Sequence, residues 1–80
     1  MAEMTEVHAV VTGRVQGVCF RAATREAALR AGVHGWVRNL PGRQVEAVLQ
    51  GERASVERVL DFLRVGPPGA HVADLAVTWR

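Results

Sequence analysis

At 80 residues, with 49% hydrophobic side chains and a net charge of +2, the chain suits one domain with a modest core, and its composition argues against disorder. All ten basic residues are arginine, which lifts the pI to about 10.0, yet charges of both signs are dispersed and there is no basic stripe of the kind that binds nucleic acid. One cysteine, Cys19, excludes an internal disulfide and a multi-cysteine metal site, no apolar run reaches the ~18 residues of a membrane span, and the acidic start lacks signal-peptide features, so a cytoplasmic protein is expected.

The first strand is expected over Val7–Thr12, a β-branched run that reads as buried on both faces or nearly so. Gly13 to Gly17 interrupts it. From Phe20 to Ala31 the period becomes helical, with Phe20, Ala23, Thr24, Ala27, Ala28 and Ala31 on one face and Leu29 as an apolar exception on the other. Gly32 is the natural stop. Val33–Leu40 and Gln44–Gln50 read as strands joined through Pro41-Gly42-Arg43 into an antiparallel hairpin. A second helix carries Val56, Val59, Leu60 and Leu63 at helical spacing and ends at Gly66-Pro67-Pro68-Gly69. The last strand spans Val72–Trp79, with Ala73, Leu75, Val77 and Trp79 assigned to one face. The order β-α-β-β-α-β predicts an α+β, ferredoxin-like sandwich: a four-stranded antiparallel sheet with both helices on one face.

The informative stretch is Gly13-Arg14-Val15-Gln16-Gly17-Val18-Cys19-Phe20-Arg21, which leaves a strand, turns and opens a helix. Successive N–H groups in such a loop converge into an anion-binding nest, and the helix N-terminus adds unpaired donors and positive potential. No Lys-Ser/Thr follows Gly17 and no third glycine is present, so neither the Walker A loop nor the dinucleotide fingerprint is matched. Arg21 sits in the first helical turn, against the macrodipole. It is either a solvated surface arginine or a forked donor whose bound anion neutralises both it and the helix end. Asn39, at the end of the second strand, is either a turn-entry asparagine or a neutral group that holds a water.

The run from Gly13 to Arg21, followed by Gly35-Trp36-Val37-Arg38-Asn39, resembles the acylphosphatases, and the similarity continues through Val45-Glu46 and Gln50-Gly51 to Gly66-Pro67-Pro68-Gly69. The resemblance implies hydrolysis of the carboxyl-phosphate anhydride of small acyl phosphates, with no cofactor and no metal. It implies that the amides of Val15, Gln16, Gly17, Val18, Cys19 and Phe20 cradle the phosphoryl group. Arg21 would bind the same group and Asn39 would position the attacking water. Cys19 stands where many bacterial members carry glycine. Pro41-Gly42-Arg43 stands where Pro-Asp-Gly is expected, a change read as remote from the chemistry.

Other polar residues point less clearly. His8, His34 and His71 lie on different elements without metal-ligand spacing. Trp36 and Trp79 read as core or interface aromatics. The alternative is a non-catalytic phosphate- or RNA-binding module of the same architecture. The first and third strands, however, lack the aromatics on which an RNA-recognition motif stacks bases. Related domains also open larger carbamoyl-transfer proteins, but a single free-standing domain over 1–80 is the simpler expectation. A monomer is expected, with inorganic phosphate or sulfate as competing anions and no nucleic-acid or membrane partner.

Overall fold

A computed structural model describes residues 3–80 of the protein. Its elements run β1 (Met4–Arg14), α1 (Phe20–Ala31), β2 (His34–Leu40), β3 (Gln44–Glu52), α2 (Arg53–Val65) and β4 (His71–Trp79). The strands form one antiparallel sheet in the order β2-β3-β1-β4. Both helices cover one face, which is the ferredoxin-like arrangement expected from the element order.

The core lies between that face and the helices. Val7, Ala9 and Val11 of β1 and Val45, Ala47 and Leu49 of β3 point into it, against Phe20 and Ala28 of α1 and Val56, Val59, Leu60 and Leu63 of α2. Small Ala28 and Thr24 let α1 approach closely, and the buried Thr24 hydroxyl donates to the Phe20 carbonyl at 2.8 Å. Leu29 stays exposed, as its position on the helix requires.

β1 is longer than expected and is buried on one face only. His8, Val10 and Thr12 are half-buried on the side without helices. The strand also continues through Gly13, where the register with β4 shifts: Thr12 pairs with Asp74 and Gly13 with Val72, leaving Ala73 over. A Cβ at Gly13 would stand 2.1 Å from the His71 carbonyl oxygen, so the close approach of β4 demands glycine. The irregularity corrects the expected face of β4. Leu75 and Val77 pack on the core together with Val72, while Ala73 is exposed.

The open face carries polar pairs invisible at short range in the sequence. His8 Nε2 lies 2.7 Å from Glu46 Oε2, and Arg38 Nε donates to Glu46 Oε1 at 2.6 Å. Trp36 and Trp79 are not core residues. They are 47% and 38% exposed, and the guanidinium groups of Arg38 and Arg53 lie over their rings. Hydrogen bonds from His8 first, then Arg38, hold the Glu46 carboxyl below its ordinary range, against an opposing effect of burial. A carboxyl lowered by folding stabilises the fold above its unfolded pKa of about 4.3, and that contribution is lost as pH falls through the folded value. Glu46→Gln should therefore flatten the acid limb of a melting-temperature profile below about pH 4.3. A variant with the same acid limb as the parent would remove this network from the stability account.

Candidate active site

The loop between β1 and α1 occupies the end of the molecule where β1 and β2 both finish. β1 and β2 each pair antiparallel with β3, so they run in the same direction and α1 returns the chain between them. The N-terminus of α1 therefore lies at the same end as Asn39, the penultimate residue of β2. Asn39 faces Val45, which faces Val11, so the three share one row on the helix-bearing side of the sheet. That row spans roughly 10 Å from β2 to β1. Arg21 and Asn39 are thereby delivered to one end and one face by different elements.

Local conformation prepares the loop. Gly17 has φ 77° and Cys19 has φ 58°. Two left-handed residues so close together turn successive N–H groups towards a common side. The Cys19 conformation explains why a glycine is at home there, since a left-handed non-glycine residue costs about 1–2 kcal/mol. Cys19 is also the N-cap of α1 and supplies no side-chain hydrogen bond. Among the described residues, no protein acceptor takes the N–H groups of Gln16, Gly17, Val18, Cys19 or Phe20. Val15 differs: it is buried, and its N–H donates to the Gly13 carbonyl at 3.0 Å, so this amide already has a partner. Val15 anchors the loop in the core, and the free donors begin at Gln16.

The first turn of α1 contains no acidic side chain, and Arg21 is exposed. Among the described residues, Arg30, Arg38, Arg53, Arg64 and Arg80 pair with carboxylates. Arg21 does not, nor do Arg14 and Arg43 nearby. A line of free amides, a helix N-terminus and unneutralised guanidinium groups give this end a positive potential suited to a multiply charged oxyanion.

One residue role was missed in the sequence. The Gln16 side-chain amide donates to the carbonyls of Leu40 and Gln44, at 2.7 and 3.0 Å, and so fastens the loop to both ends of the β2–β3 turn. Gly13 N–H adds a bond to the Arg43 carbonyl at 3.1 Å. The hairpin turn is therefore next to the site, not remote from it. Gly42 and Arg43 both have positive φ, 81° and 62°, so Arg43 occupies a position that glycine would fill without strain. Sequence offsets of 24 and 28 between Gln16 and its acceptors explain why no local pattern announced the link. Elsewhere, no three His, Cys, Asp or Glu side chains among the described residues stand together as a metal site. No described helix is long and apolar enough to cross a membrane.

Comparison with known proteins bears on the family and the fold. The acylphosphatase family model matches residues 7–80. An acylphosphatase of Gloeobacter violaceus is 57% identical over 80 residues, covering 100% of this chain and 86% of the relative. The structure of an acylphosphatase from Coxiella burnetii superposes with a TM-score of 0.92 at 39% identity, covering 96% of this chain and 81% of that one. Acylphosphatase from Bacillus subtilis gives a TM-score of 0.92 at 30% identity, covering 95% and 84%. On sequence and fold alike, the chain belongs to the acylphosphatase family.

Proposed function

We propose that the protein is a working acylphosphatase, hydrolysing small acyl phosphates to a carboxylate and inorganic phosphate. The observation that carries this reading is the run of unpartnered N–H groups from Gln16 to Phe20 at the start of α1, beside Arg21 and on the same end as Asn39. In the proposed reaction the loop amides and the Arg21 guanidinium hold the phosphoryl oxygens. The Asn39 carboxamide holds a water in line with the bond to be broken. The water oxygen bonds to phosphorus while the phosphorus–oxygen bond to the acyl group breaks, its electron pair leaving on the carboxylate. The proton released by the water passes to a phosphoryl oxygen. A carboxylate departs without a general acid, and the loose transition state asks mainly for positioning and charge stabilisation. One arginine, a set of amides and one asparagine meet that demand. Every residue invoked comes from one chain, so a monomer suffices.

Two measurements test the reading. Purified protein should hydrolyse benzoyl phosphate at the same rate with and without chelator, since among the described residues no carboxylate or histidine cluster stands together at the site. Loss of rate on chelation, restored by magnesium or zinc, would overturn the mechanism. Inorganic phosphate should compete with substrate and raise the melting temperature by mass action. Millimolar phosphate that neither inhibits nor stabilises would mean the loop is not the phosphate site.

A further inference from the structure

The proposed reaction divides its work between two pieces of chain that are not neighbours in the sheet. The phosphoryl group is assigned to the amides from Gln16 to Phe20 and to Arg21, one continuous segment that follows β1. The water is assigned to Asn39 on β2, and β3 lies between β2 and β1. In-line attack requires these two pieces to keep a fixed separation. Val18 packs partly against the core, but apolar contact is non-directional and sets no register. Among the described residues, the hydrogen bonds that join residues 16–19 to the sheet are the two made by the Gln16 side chain.

The placement of those bonds is specific. Gln16 Nε2 donates twice, to the Leu40 carbonyl at 2.7 Å and to the Gln44 carbonyl at 3.0 Å. Leu40 and Gln44 are cross-strand partners, the last pair before the turn, and Asn39 and Val45 form the pair before it. Gln16 therefore grips the rung beside the one that carries Asn39, about 3.3 Å away along the strands. Gln44 donates in turn to Thr12 Oγ1 at 3.2 Å, which braces the gripped rung against β1. Gln16 is exposed and fills no space in the core, so its contribution is these bonds, which offset the rotamer freedom it gives up.

We propose that the Gln16 side chain is a positioning residue that registers the phosphate-holding segment against Asn39; this rests on the hydrolase reading given above. A phosphoryl group bound to residues 16–21 moves with that segment, whereas the water moves with β2. Loss of the tether leaves the contacts to phosphate in place and spoils the line between water and phosphorus.

The test is a double-mutant cycle on benzoyl phosphate hydrolysis, with phosphate calorimetry and circular dichroism on the same preparations. Gln16→Met keeps the side chain's length and removes its donor. It should lower kcat by about tenfold to a hundredfold, the scale on which misplacing a reactant is felt. Phosphate should bind within about threefold of the parent affinity, since the lost interaction matters chiefly in the transition state. Gln16→Asn keeps the carboxamide but is one methylene too short to span both carbonyls, and should lose kcat in the same way. In the Asn39→Ala protein, Gln16→Met should cost less than about threefold, because no held water remains to be misplaced. An equal loss in both backgrounds would overturn the inference, as would full turnover in Gln16→Met. Loss of phosphate affinity or of the fold would also overturn it, by giving Gln16 a structural role. Failure of the parent to hydrolyse benzoyl phosphate would overturn the hydrolase reading and the inference with it.

Discussion

Replacing Arg21 with alanine should lower kcat/KM for benzoyl phosphate by at least about 10²–10³, the range seen when a donor to a developing oxyanion is removed. In the proposed mechanism the charge it faces is present in bound substrate and grows in the transition state, so binding and turnover should both suffer. The guanidinium stands in a helical first turn free of acidic residues and has no carboxylate partner among the described residues. Without an anion its placement opposes the helix dipole by about 0.3–1 kcal/mol. Removing it should therefore leave the fold intact or slightly more stable, while phosphate loses affinity. Arg21→Lys should recover little, because a point charge cannot reproduce the forked contact. Steady-state kinetics, phosphate calorimetry and circular dichroism on the same preparations separate these effects. A folded Arg21→Ala protein with full activity would overturn the functional reading altogether.

Asn39→Ala should lower kcat by roughly 10²-fold, the scale on which misplacing a reactant is felt. Phosphate should meanwhile bind with near-normal affinity. Asn39 stands on the edge strand in the row Asn39–Val45–Val11, and in the proposed mechanism it orients water. Loss of an interaction made chiefly in the transition state lowers kcat without a matching change in ground-state binding. Because Asn39 is exposed on an edge strand, truncation should leave the core undisturbed. Full turnover in a folded variant would remove Asn39 from the mechanism. A collapse of phosphate affinity would instead place it among the phosphate ligands.

The contrast between these residues also shows what could be read without coordinates. Helix α1 was legible to the residue, because the alanine-rich period starts at Phe20 and Gly32 closes it with φ 72°. The order of elements followed from alternation and turn chemistry, while the strand pairings bring Arg21 and Asn39 to one end. What escaped depended on contacts between distant parts of the chain. The face of β4 turned on a bulge set by Gly13 in another strand, so strict alternation assigned Ala73 to the core in place of Val72. The Gln16 tether depends on the β2–β3 turn lying beside the loop, a consequence of the antiparallel pairing of β1 with β3. The partner of His8, Glu46, comes from cross-strand register, which periodicity alone does not supply. The Val15 amide looked like its neighbours until its bond to Gly13 was seen.

The most direct test of the central claim is to hydrolyse benzoyl phosphate with the purified protein in water enriched in heavy oxygen and follow the label by mass spectrometry. Attack at a phosphorus held by the Gln16–Phe20 amides and Arg21 places one labelled oxygen in inorganic phosphate and leaves benzoate unlabelled. Label in benzoate would mean that water attacks the acyl carbon, and the phosphate loop could not then be the site of reaction.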